Sequence, residues 1–531
     1  NVNPDGLGQV LLYPYYTARG GNDTLISVVN TTSEGKAVKV RFLEALNSRE
    51  VLDFNLYLSP FDVWTGAITD LGDAPGLITT DTSCTAPYIF GDQDGVQQFL
   101  DFQFASEPFE DPDPAGEDFA GTLDGGPTGI ERAASGYIEI IEMGTLVENP
   151  VDEPAADGTD PAIIPYWVEH AGLTGSGDRA PRNCDAIVDQ WREINSEGVP
   201  GIWATTDAEF GFDDAGPTGG LMGSASIIDV TEGLMFSYNA TAIDNFWGAG
   251  QTFHTDPGTL APSLASSNNG TSEAFISNVG VETINWTPQT PFAINAALTV
   301  SSLMNEFQIN QANVLGRTEW VLTFPTKGIH TDPLPGGPGV AEDVPIAPFT
   351  SLWDAENPGS CDSQTFVFWD REEGPEVEPP DDPDVPEDDV VVSPPRPPEP
   401  GEPPQEDPGF VLCREANIVR FANDGSLPTS TEIFGEPLRL DDEGDVDELS
   451  YTNFGLVPTG LVSSGWVRAD FSGFTSVAGQ QDGNPVTISG LPVIGFSANT
   501  FTNNNISDGI RASFGGSFKH KGTRVPATVS P

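Results

Sequence analysis

The chain has 531 residues, of which 80 are acidic and 21 basic, so its formal net charge at pH 7 is −59. A chain this negative repels a nucleic-acid backbone and an anionic membrane, and we expect neither as a partner. A surface adapted to salty water, divalent-cation binding between acidic surfaces and attraction to a basic partner all remain open. No run of 18 apolar residues is present, so no membrane span is predicted.

Taken in chain order, the predicted elements are mostly strands, as the 58 glycines and 47 prolines also indicate. The alternation of Val38, Val40 and Phe42 with Lys39 and Arg41 is the clearest example. The predicted strands are residues 24–30, 37–43, 54–58, 62–66, 136–142, 223–230, 319–324, 364–369, 416–421 and 464–471. Residues 185–197 are predicted to form an amphipathic helix, and residues 302–314 are a second candidate.

This pattern predicts an all-β fold with multiple antiparallel, sandwich-like units of the immunoglobulin or fibronectin kind, long loops and one or two short helices. We expect an N-terminal β-sandwich over residues 1–130 and a second β-rich region with long loops over residues 131–350. A C-terminal β-rich region, residues 351–531, would carry an acidic, Pro-rich insertion at residues 375–408. An interdomain linker is the alternative interpretation of that segment.

The four cysteines are Cys84, Cys184, Cys361 and Cys413, and none belongs to a CxxC or CxxCH motif, so covalent c-type haem is excluded. An even number of isolated cysteines predicts two disulfides. Of the three possible connectivities, we favour Cys84–Cys184 and Cys361–Cys413. The predicted strands at 364–369 and 416–421 each begin three residues after a cysteine. A bond between them would close a loop of about 50 residues and contribute roughly 4 kcal/mol.

The chain begins at Asn1, without an initiator methionine or a charged-then-apolar leader. This start fits a mature protein exported through a cleaved signal peptide, although a shortened chain would look the same. We therefore expect an extracellular or cell-surface location.

Several segments carry a resemblance to a known group of proteins. The run from Gly6 to Thr17, its continuation through residues 27–32, 37–43 and 57–64, and the later run 318–327 are similar to secreted proteins of marine and other Gram-negative bacteria. The function of that family is unassigned. The resemblance implies an exported surface protein and supplies no active residues.

No motif for catalysis is present, and we predict that the chain is not an enzyme. The four histidines stand alone, and neither a metal-binding HExxH motif nor a Gly-x-Ser-x-Gly elbow nor a phosphate-binding glycine loop occurs. Trp286, Trp320, Trp369 and Trp466 could line a platform for sugars, although tryptophans on strands are more often core residues.

Two acidic clusters are candidates for calcium, because closely spaced aspartates can supply several of the oxygen ligands that calcium takes. Neither fits the EF-hand pattern, and plain solvated loops are the alternative; no other cofactor is expected. The candidate ligands are Asp111 and Asp113 in the first cluster and Asp441, Asp442, Asp445 and Asp447 in the second.

Together these observations predict a structural subunit of an extracellular filament, sheath or surface layer, which forms a homo-oligomer or polymer by self-association. Terminal strands are the expected connectors, because an exposed strand can complete the sheet of the next subunit. The alternative is that the first of these strands pairs within its own sheet. A monomeric module that binds carbohydrate or another surface ligand is the second functional hypothesis, and an unrecognised hydrolase the third. The candidate assembly residues are Val10, Leu11, Leu12 and Tyr13 near one end and Val525 and Val529 near the other.

Overall fold

The computed structural model describes most of the chain. The described residues are 1–92, 94–105, 124–148, 164–173, 179–194, 198, 200–205, 208–287, 290–309, 315–332, 344–356, 358–370, 410–422, 430–436, 453–455, 464–507 and 510–530.

The strands in the first 250 residues are β1 (Val10–Thr17), β2 (Asn22–Asn30), β3 (Gly35–Glu44), β4 (Glu50–Leu58), β5 (Val63–Asp70), β6 (Pro75–Ile78), β7 (Cys84–Ala86), β8 (Val96–Gln98), β9 (Ser135–Leu146), β10 (His170–Leu173), β11 (Arg179–Pro181), β12 (Leu221–Asp229), β13 (Leu234–Asn239) and β14 (Thr241–Ile243).

The remaining strands are β15 (Thr271–Ile276), β16 (Gly280–Asn285), β17 (Thr299–Val300), β18 (Ser302–Gln308), β19 (Leu315–Thr323), β20 (Asp362–Asp370), β21 (Phe410–Leu412), β22 (Ala416–Ala422), β23 (Asn453–Gly455), β24 (Ser464–Asp470), β25 (Gly479–Gln481), β26 (Asn484–Thr487), β27 (Leu491–Pro492), β28 (Ile494–Ser507), β29 (Ile510–Lys519), β30 (Lys521–Thr523) and β31 (Thr528–Val529).

Helices are short. The α-helices are α1 (Ile89–Asp92), α2 (Ile164–Val168), α3 (Cys184–Asp189), α4 (Ile202–Thr205), α5 (Pro291–Leu298) and α6 (Lys327–Thr331), and 3₁₀ turns occur at Ile130–Ala134 and Leu264–Ser266. Among the described residues, no helix has the length and apolar character needed to cross a membrane.

Two six-stranded sheets form the N-terminal half and face each other. Sheet 1 has the order β14-β1-β9-β3-β4-β7, and sheet 2 has the order β13-β12-β2-β5-β6-β8. Val40 and Phe42 from sheet 1 pack in one buried cluster with Ile26 and Trp64 from sheet 2. Alternate residues of each strand fill this core, as the strand period of two requires.

Sheet 3 has the order β23-β22-β19-β28-β29, and its strands β19 and β22 are buried on both faces. Consecutive residues of β19 show this directly: Val321 belongs to the N-terminal core, whereas Trp320 and Leu322 belong to a second core. Sheet 4 (β21-β20-β24-β18-β30) closes the second core from the other side, through residues such as Phe307 and Val467. Sheet 5 (β15-β16-β25-β26-β31) is smaller and packs against α5.

The predicted all-β class with antiparallel sheets is confirmed, since every ladder between the described strands is antiparallel except that of β22 with β23. The finer assignment to immunoglobulin- or fibronectin-like units stays a prediction.

The strand pairing does not follow the expected boundaries near residues 130 and 350. Strand β9 lies between β1 and β3, and β12 pairs with β2, so the first two regions share their sheets. Similarly, β18 pairs with β24, and β19 pairs with β28, across residue 350. Strands distant in sequence are neighbours here, and local sequence patterns carry no information on such partners.

Two helix predictions need correction. Over its described part, residues 185–194, the helix expected at residues 185–197 is present only as α3, Cys184–Asp189, and the chain turns after it. The second candidate, residues 302–314, begins with strand β18, which pairs with both β24 and β30. Leu303 and Phe307, four residues apart, lie on one side of a helix and also on one side of a strand. The pairing of β18 with β24 and β30 in sheet 4 shows that this segment is a strand and not a helix.

The Pro-rich segment 375–408 lies outside the described residues. The strands on either side of it, β20 and β21, pair with each other within sheet 4. This is the arrangement expected for an insertion rather than for a linker between domains.

Candidate functional site

The four cysteines form the two predicted disulfides. Cys84 of β7 is bonded to Cys184 at the start of α3, and Cys361 is bonded to Cys413 beside the paired strands β20 and β21. The first bond ties an edge strand of sheet 1 to the helical segment that covers this sheet. The second closes the chain around the Pro-rich segment.

The predicted N-terminal connector is an interior strand of sheet 1. Val10, Leu11 and Leu12 pair with β14 on one side and with β9 on the other, and Tyr13 also pairs with β9. All four side chains are fully buried. A strand whose two edges are occupied cannot pair with a neighbouring subunit. The segment therefore follows the alternative interpretation, and the connector role does not fit these four residues.

The C-terminal candidates also lie within the fold. Val529 in β31 pairs with Val486 in β26, and the neighbouring Ala527 forms a bridge to Ile276 at the end of β15. The C-terminal segment is therefore part of sheet 5. Val525 is 41% exposed, and its role in assembly stays a prediction.

The calcium candidates Asp111, Asp113, Asp441, Asp442, Asp445 and Asp447 lie outside the described residues, so calcium binding stays a prediction. Asp124, a further acidic residue of the first of these clusters, is held by Arg132 at 2.6 Å. Over the part of the chain that the structure describes, no group of three or more His, Cys, Asp or Glu side chains is arranged to hold a metal ion.

Three of the four histidines are buried among apolar and aromatic side chains. His254 contacts the Tyr57 hydroxyl and the Ala208 carbonyl, and burial lowers its pKa to about 3. Burial likewise lowers the pKa of His330 and His520 to about 4. These imidazoles are neutral at physiological pH and serve the packing of the cores.

The reverse face of sheet 1, which points away from the N-terminal core, carries buried charges. Lys39 lies 2.5 Å from Asp53, and Arg41 lies 2.6 Å from both Glu50 and Glu139. Lys39 and Arg41 are the polar residues whose alternation identified β3, and both are buried. Burial, followed by the nearby Glu50 charge, raises the pKa of Asp53 to about 7.

A second group of buried charges, here named the junction cluster, comprises Glu44, Arg49, Asp124, Arg132 and Asp332. Arg132 pairs with Glu44 and Asp124, and Arg49 lies 3.0 Å from Asp332, which follows α6. The cluster therefore connects the β3–β4 turn with the segment that leads from sheet 3. A cleft of about 270 Å³ beside it is lined by Arg49 and Asp332, whose charges offset each other.

Burial removes a larger fraction of the basic than of the acidic residues from the surface. Among the described residues, a third of the chain's 21 basic residues are buried, compared with ten of its 80 acidic residues. Among the described residues that stay exposed or partly exposed, the ratio of acidic to basic groups is therefore higher than among all described residues. The buried basic residues are Lys36, Lys39, Arg41, Arg49, Arg132, Lys327 and Arg420.

One surface departs from this acidic character: the outer face of sheet 2, here named the uncharged face. In β2, Ile26 and Val28 are buried, so Leu25, Ser27 and Val29 point outward. Asp23, near one end of β2, is the single ionisable residue among the outward positions of this sheet. The other outward residues are Val63, Thr65, Ala67, Thr69, Gly76, Ile78, Val96, Gln98, Met222, Ser224, Ser226, Ile228, Met235, Ser237 and Asn239.

The strand register places small and hydroxyl side chains at the centre of the uncharged face. Ser27 lies opposite Ser224 on one side and Thr65 on the other, and the two serine hydroxyls are 3.1 Å apart. A groove of about 620 Å³ crosses the face here, and Asp94 lies at its margin. Short side chains on a sheet face permit close approach of another surface.

The four tryptophans considered above as a sugar platform separate into two pairs. Trp286 and Trp320 are 4% and 0% exposed and belong to the cores. Trp369 and Trp466, by contrast, lie opposite each other on the outer face of sheet 4, with ring centroids 3.9 Å apart and planes 7° from parallel. The sequence did not distinguish these pairs, because all four residues follow the same alternating pattern.

No protein-family model, no curated protein and no solved structure matches this chain.

We expect the Glu415→Gln variant to be more stable than the native protein at pH 8. Glu415 is fully buried, and burial, with the charges of Asp332 and Glu44 opposing that of Lys327, raises its pKa well above 4.5. The folded protein thus keeps a proton that the unfolded chain releases. The contribution of this proton to the free energy of unfolding is complete below about pH 4.5. It is lost as the pH rises above that value, by up to about 1.4 kcal/mol per pH unit.

Glutamine has nearly the same shape and no proton to lose, so the variant should lose less stability between pH 5 and pH 8. Urea unfolding at several pH values measures this slope. The exposed Glu356 provides the matched control, since Glu356→Gln should leave the slope unchanged. An identical slope for the native protein and Glu415→Gln would contradict a protonated Glu415.

Proposed function

We propose that this chain is an exported structural protein that self-associates through the uncharged face as a step in building an extracellular filament, sheath or surface layer. The observation that supports the proposal is a six-stranded sheet face with one ionisable residue in a chain of net charge −59. Two disulfides fit an oxidising compartment. Export through a cleaved signal peptide and kinship with secreted bacterial proteins belong to the same proposal.

Charge determines where two copies can meet. Two acidic surfaces repel each other, and this repulsion is strongest where carboxylates would be brought into contact without counterions. The uncharged face avoids that penalty, because neither copy brings a carboxylate to its centre. Salt at about 0.15 M screens the remaining charges beyond about 8 Å, so we expect association to strengthen with ionic strength.

The same face favours a second copy over a charged partner. A basic partner would bind where carboxylates are dense, and the centre of this face offers none. A second copy presents a surface with the same short side chains and the same lack of charge. A two-fold contact requires a surface that fits itself in this way. Short side chains such as Ser27, Thr65 and Ser224 let the two sheets approach to the usual packing distance of about 10 Å.

A two-fold contact by itself closes a dimer, and a longer assembly needs another contact elsewhere on the subunit. The uncharged face therefore accounts for the pairing of two subunits. Growth into a polymer depends on the other contact and needs its own experiment. Calcium bridging between acidic surfaces is the part of the proposal that concerns growth. It predicts that calcium lengthens assemblies at constant ionic strength, as electron microscopy would show.

We expect the double variant Val63→Glu/Thr65→Glu to be monomeric under conditions in which the native protein associates. Both residues point outward from β5, and Val63 is 46% exposed, so the change does not touch the core. Each contact would then contain four uncompensated carboxylates, which should raise the dissociation constant by about 100-fold or more. Sedimentation velocity at low and high salt measures this shift.

The matched control is Val281→Glu/Thr283→Glu on β16. These residues have the same identities and spacing, and both are exposed on sheet 5. The control variant should associate as the native protein does. The proposal is wrong if the β5 variant associates normally, or if the native protein is monomeric at every concentration and salt level tested.

A further inference from the structure

Trp466 is unusual among the tryptophans of this chain. Of the ten tryptophans, seven are buried, Trp191 and Trp369 are partly buried, and Trp466 alone is exposed, with 37% of its surface accessible. An indole ring has a large apolar area, and its burial is favourable. The seven buried tryptophans show that this chain can bury such rings. An exposed, rigidly held indole is therefore a feature that the fold alone does not require.

The ring of Trp466 is fixed by its neighbour. Trp369 stacks on one side of it in a nearly parallel arrangement across the β20–β24 ladder. Stacking of this kind restricts the rotamers of both side chains, and 37% of the surface of Trp466 stays accessible. The two residues form a preorganised aromatic platform, which reduces the entropy lost when a ligand binds.

Polar side chains surround the platform on the same face of sheet 4. Glu306 is exposed and lies opposite Trp466 on β18. Arg468, two residues along β24, has its guanidinium carbon 5.8 Å from the centre of the Trp369 ring and lies 3.3 Å from Asp470. Carboxylate acceptors and guanidinium donors therefore flank an apolar ring, and the Arg468–Asp470 pair offsets the positive charge.

We propose that the face formed by Trp369, Trp466, Glu306 and Arg468, here named the indole site, binds an uncharged polysaccharide chain. A pyranose ring has an apolar face of C–H groups that packs on an aromatic ring, and a rim of hydroxyls that hydrogen-bond to carboxylate and guanidinium groups. The site offers both kinds of contact at once.

Charge argues for a neutral sugar rather than an acidic one. The surrounding protein is strongly acidic, and the cation nearest the ring, Arg468, is already paired with Asp470. A polyuronate would meet the same long-range repulsion that excludes nucleic acid. The inference is independent of the proposed self-association, because the indole site is on sheet 4 and the uncharged face is on sheet 2.

Binding is tested on the full-length protein with cellohexaose and chitohexaose as neutral probes and oligogalacturonate as the acidic probe. We expect calorimetry to detect one of the neutral chains and not the acidic one. Trp466→Ala should weaken that binding by about tenfold or more, and Arg468→Gln should weaken it by a smaller factor. Phe275→Ala removes another exposed aromatic residue, 55% accessible on β15, and should leave binding unchanged.

If Trp369 and Trp466 serve only to stabilise the fold, these experiments give a different result. This alternative predicts that Trp466→Ala lowers the thermal midpoint while no probe binds the native protein, and that outcome overturns the proposal. Trp466→Tyr keeps an aromatic ring and should retain part of the affinity, so the proposal does not depend on a variant that folds poorly. Selective binding of oligogalacturonate would contradict the neutral class. Retained binding in Val63→Glu/Thr65→Glu would separate this site from self-association.

Discussion

Replacing Arg132 with methionine should lower the free energy of unfolding by about 3–5 kcal/mol, because Glu44 is then left buried without this cation and Asp124 keeps the more distant Arg49, at 3.8 Å. Arg132 donates to both oxygens of Asp124, at 3.0 and 2.6 Å, and lies 3.0 Å from Glu44. At most 3% of each of these three side chains is exposed. Although burial opposes it, bonding to Arg132 holds the pKa of Asp124 below its usual value.

Glu44 has a further role that the loss of Arg132 would disturb. Its carboxylate accepts hydrogen bonds from the backbone N–H groups of Leu46, Asn47 and Arg49, and so shapes the turn between β3 and β4. That turn bonds to the start of β22, through the N–H of Ala416 and the Ala45 carbonyl. The junction cluster therefore couples sheet 1 to sheet 3, and its loss should affect cooperative unfolding of both.

Arg182→Met is the matched control for this prediction. Arg182 pairs with Glu169 at 3.2 Å, but the side chains are 32% and 52% exposed, so the pair should contribute no more than about 1 kcal/mol. The double variant Arg132→Met/Asp124→Asn removes one of the stranded charges and should recover part of the loss. Urea unfolding of the four proteins measures these differences. A loss for Arg132→Met no larger than that for Arg182→Met would show that the cluster is solvated.

The sequence predicts the strands of sheet 1 well, because local alternation reports which residues share a face. The pattern of Val38, Val40 and Phe42 places β3 correctly and identifies its core side. It does not reveal that Lys39 and Arg41 are buried as well. Their cover includes the segment near residue 256, whose carbonyl groups accept hydrogen bonds from Lys39. A cover more than 200 residues away leaves no trace in the local pattern.

The uncharged face was missed for a related reason. The alternation of Leu25, Ser27 and Val29 with Ile26 and Val28 is visible in the sequence, but both sets contain apolar residues. Which set faces the core depends on sheet 1, and the area without charge emerges only when six strands are placed side by side. Terminal strands were a simpler hypothesis, and pairing within the chain excludes it for Val10–Tyr13.

The pairing of the cysteines was predictable because spacing and the flanking strands restrict it. Which part of the fold each disulfide anchors was not predictable from the sequence. Loss of the Cys84–Cys184 bond, in Cys84→Ser/Cys184→Ser, should lower the free energy of unfolding by about 4.7 kcal/mol for a loop of 100 residues. The bond anchors α2, α3 and α4, which have five, six and four residues. Helices this short are not stable alone, so they depend on packing and on this anchor.

The loss should be detectable at a defined place, because the anchored segment carries an aromatic cluster onto the reverse face of sheet 1. Trp191 donates to the Tyr57 hydroxyl at 2.8 Å, and Trp203 stacks on the Tyr57 ring with planes 5° apart. We expect the variant to lose much of the near-UV circular dichroism of this cluster. Amide exchange should accelerate in α2–α4 before it does in sheets 2 and 4.

Cys361→Ser/Cys413→Ser is the internal comparison, since it opens a loop of 52 residues in sheet 4 and leaves the covering helices anchored. It should also reduce stability, by roughly 4 kcal/mol, but exchange should then accelerate at β20 and β21. Equal exchange patterns in the two variants would contradict separate anchoring roles. A loss below about 1 kcal/mol for Cys84→Ser/Cys184→Ser would mean that packing of Trp203 and its neighbours alone holds the cover on sheet 1.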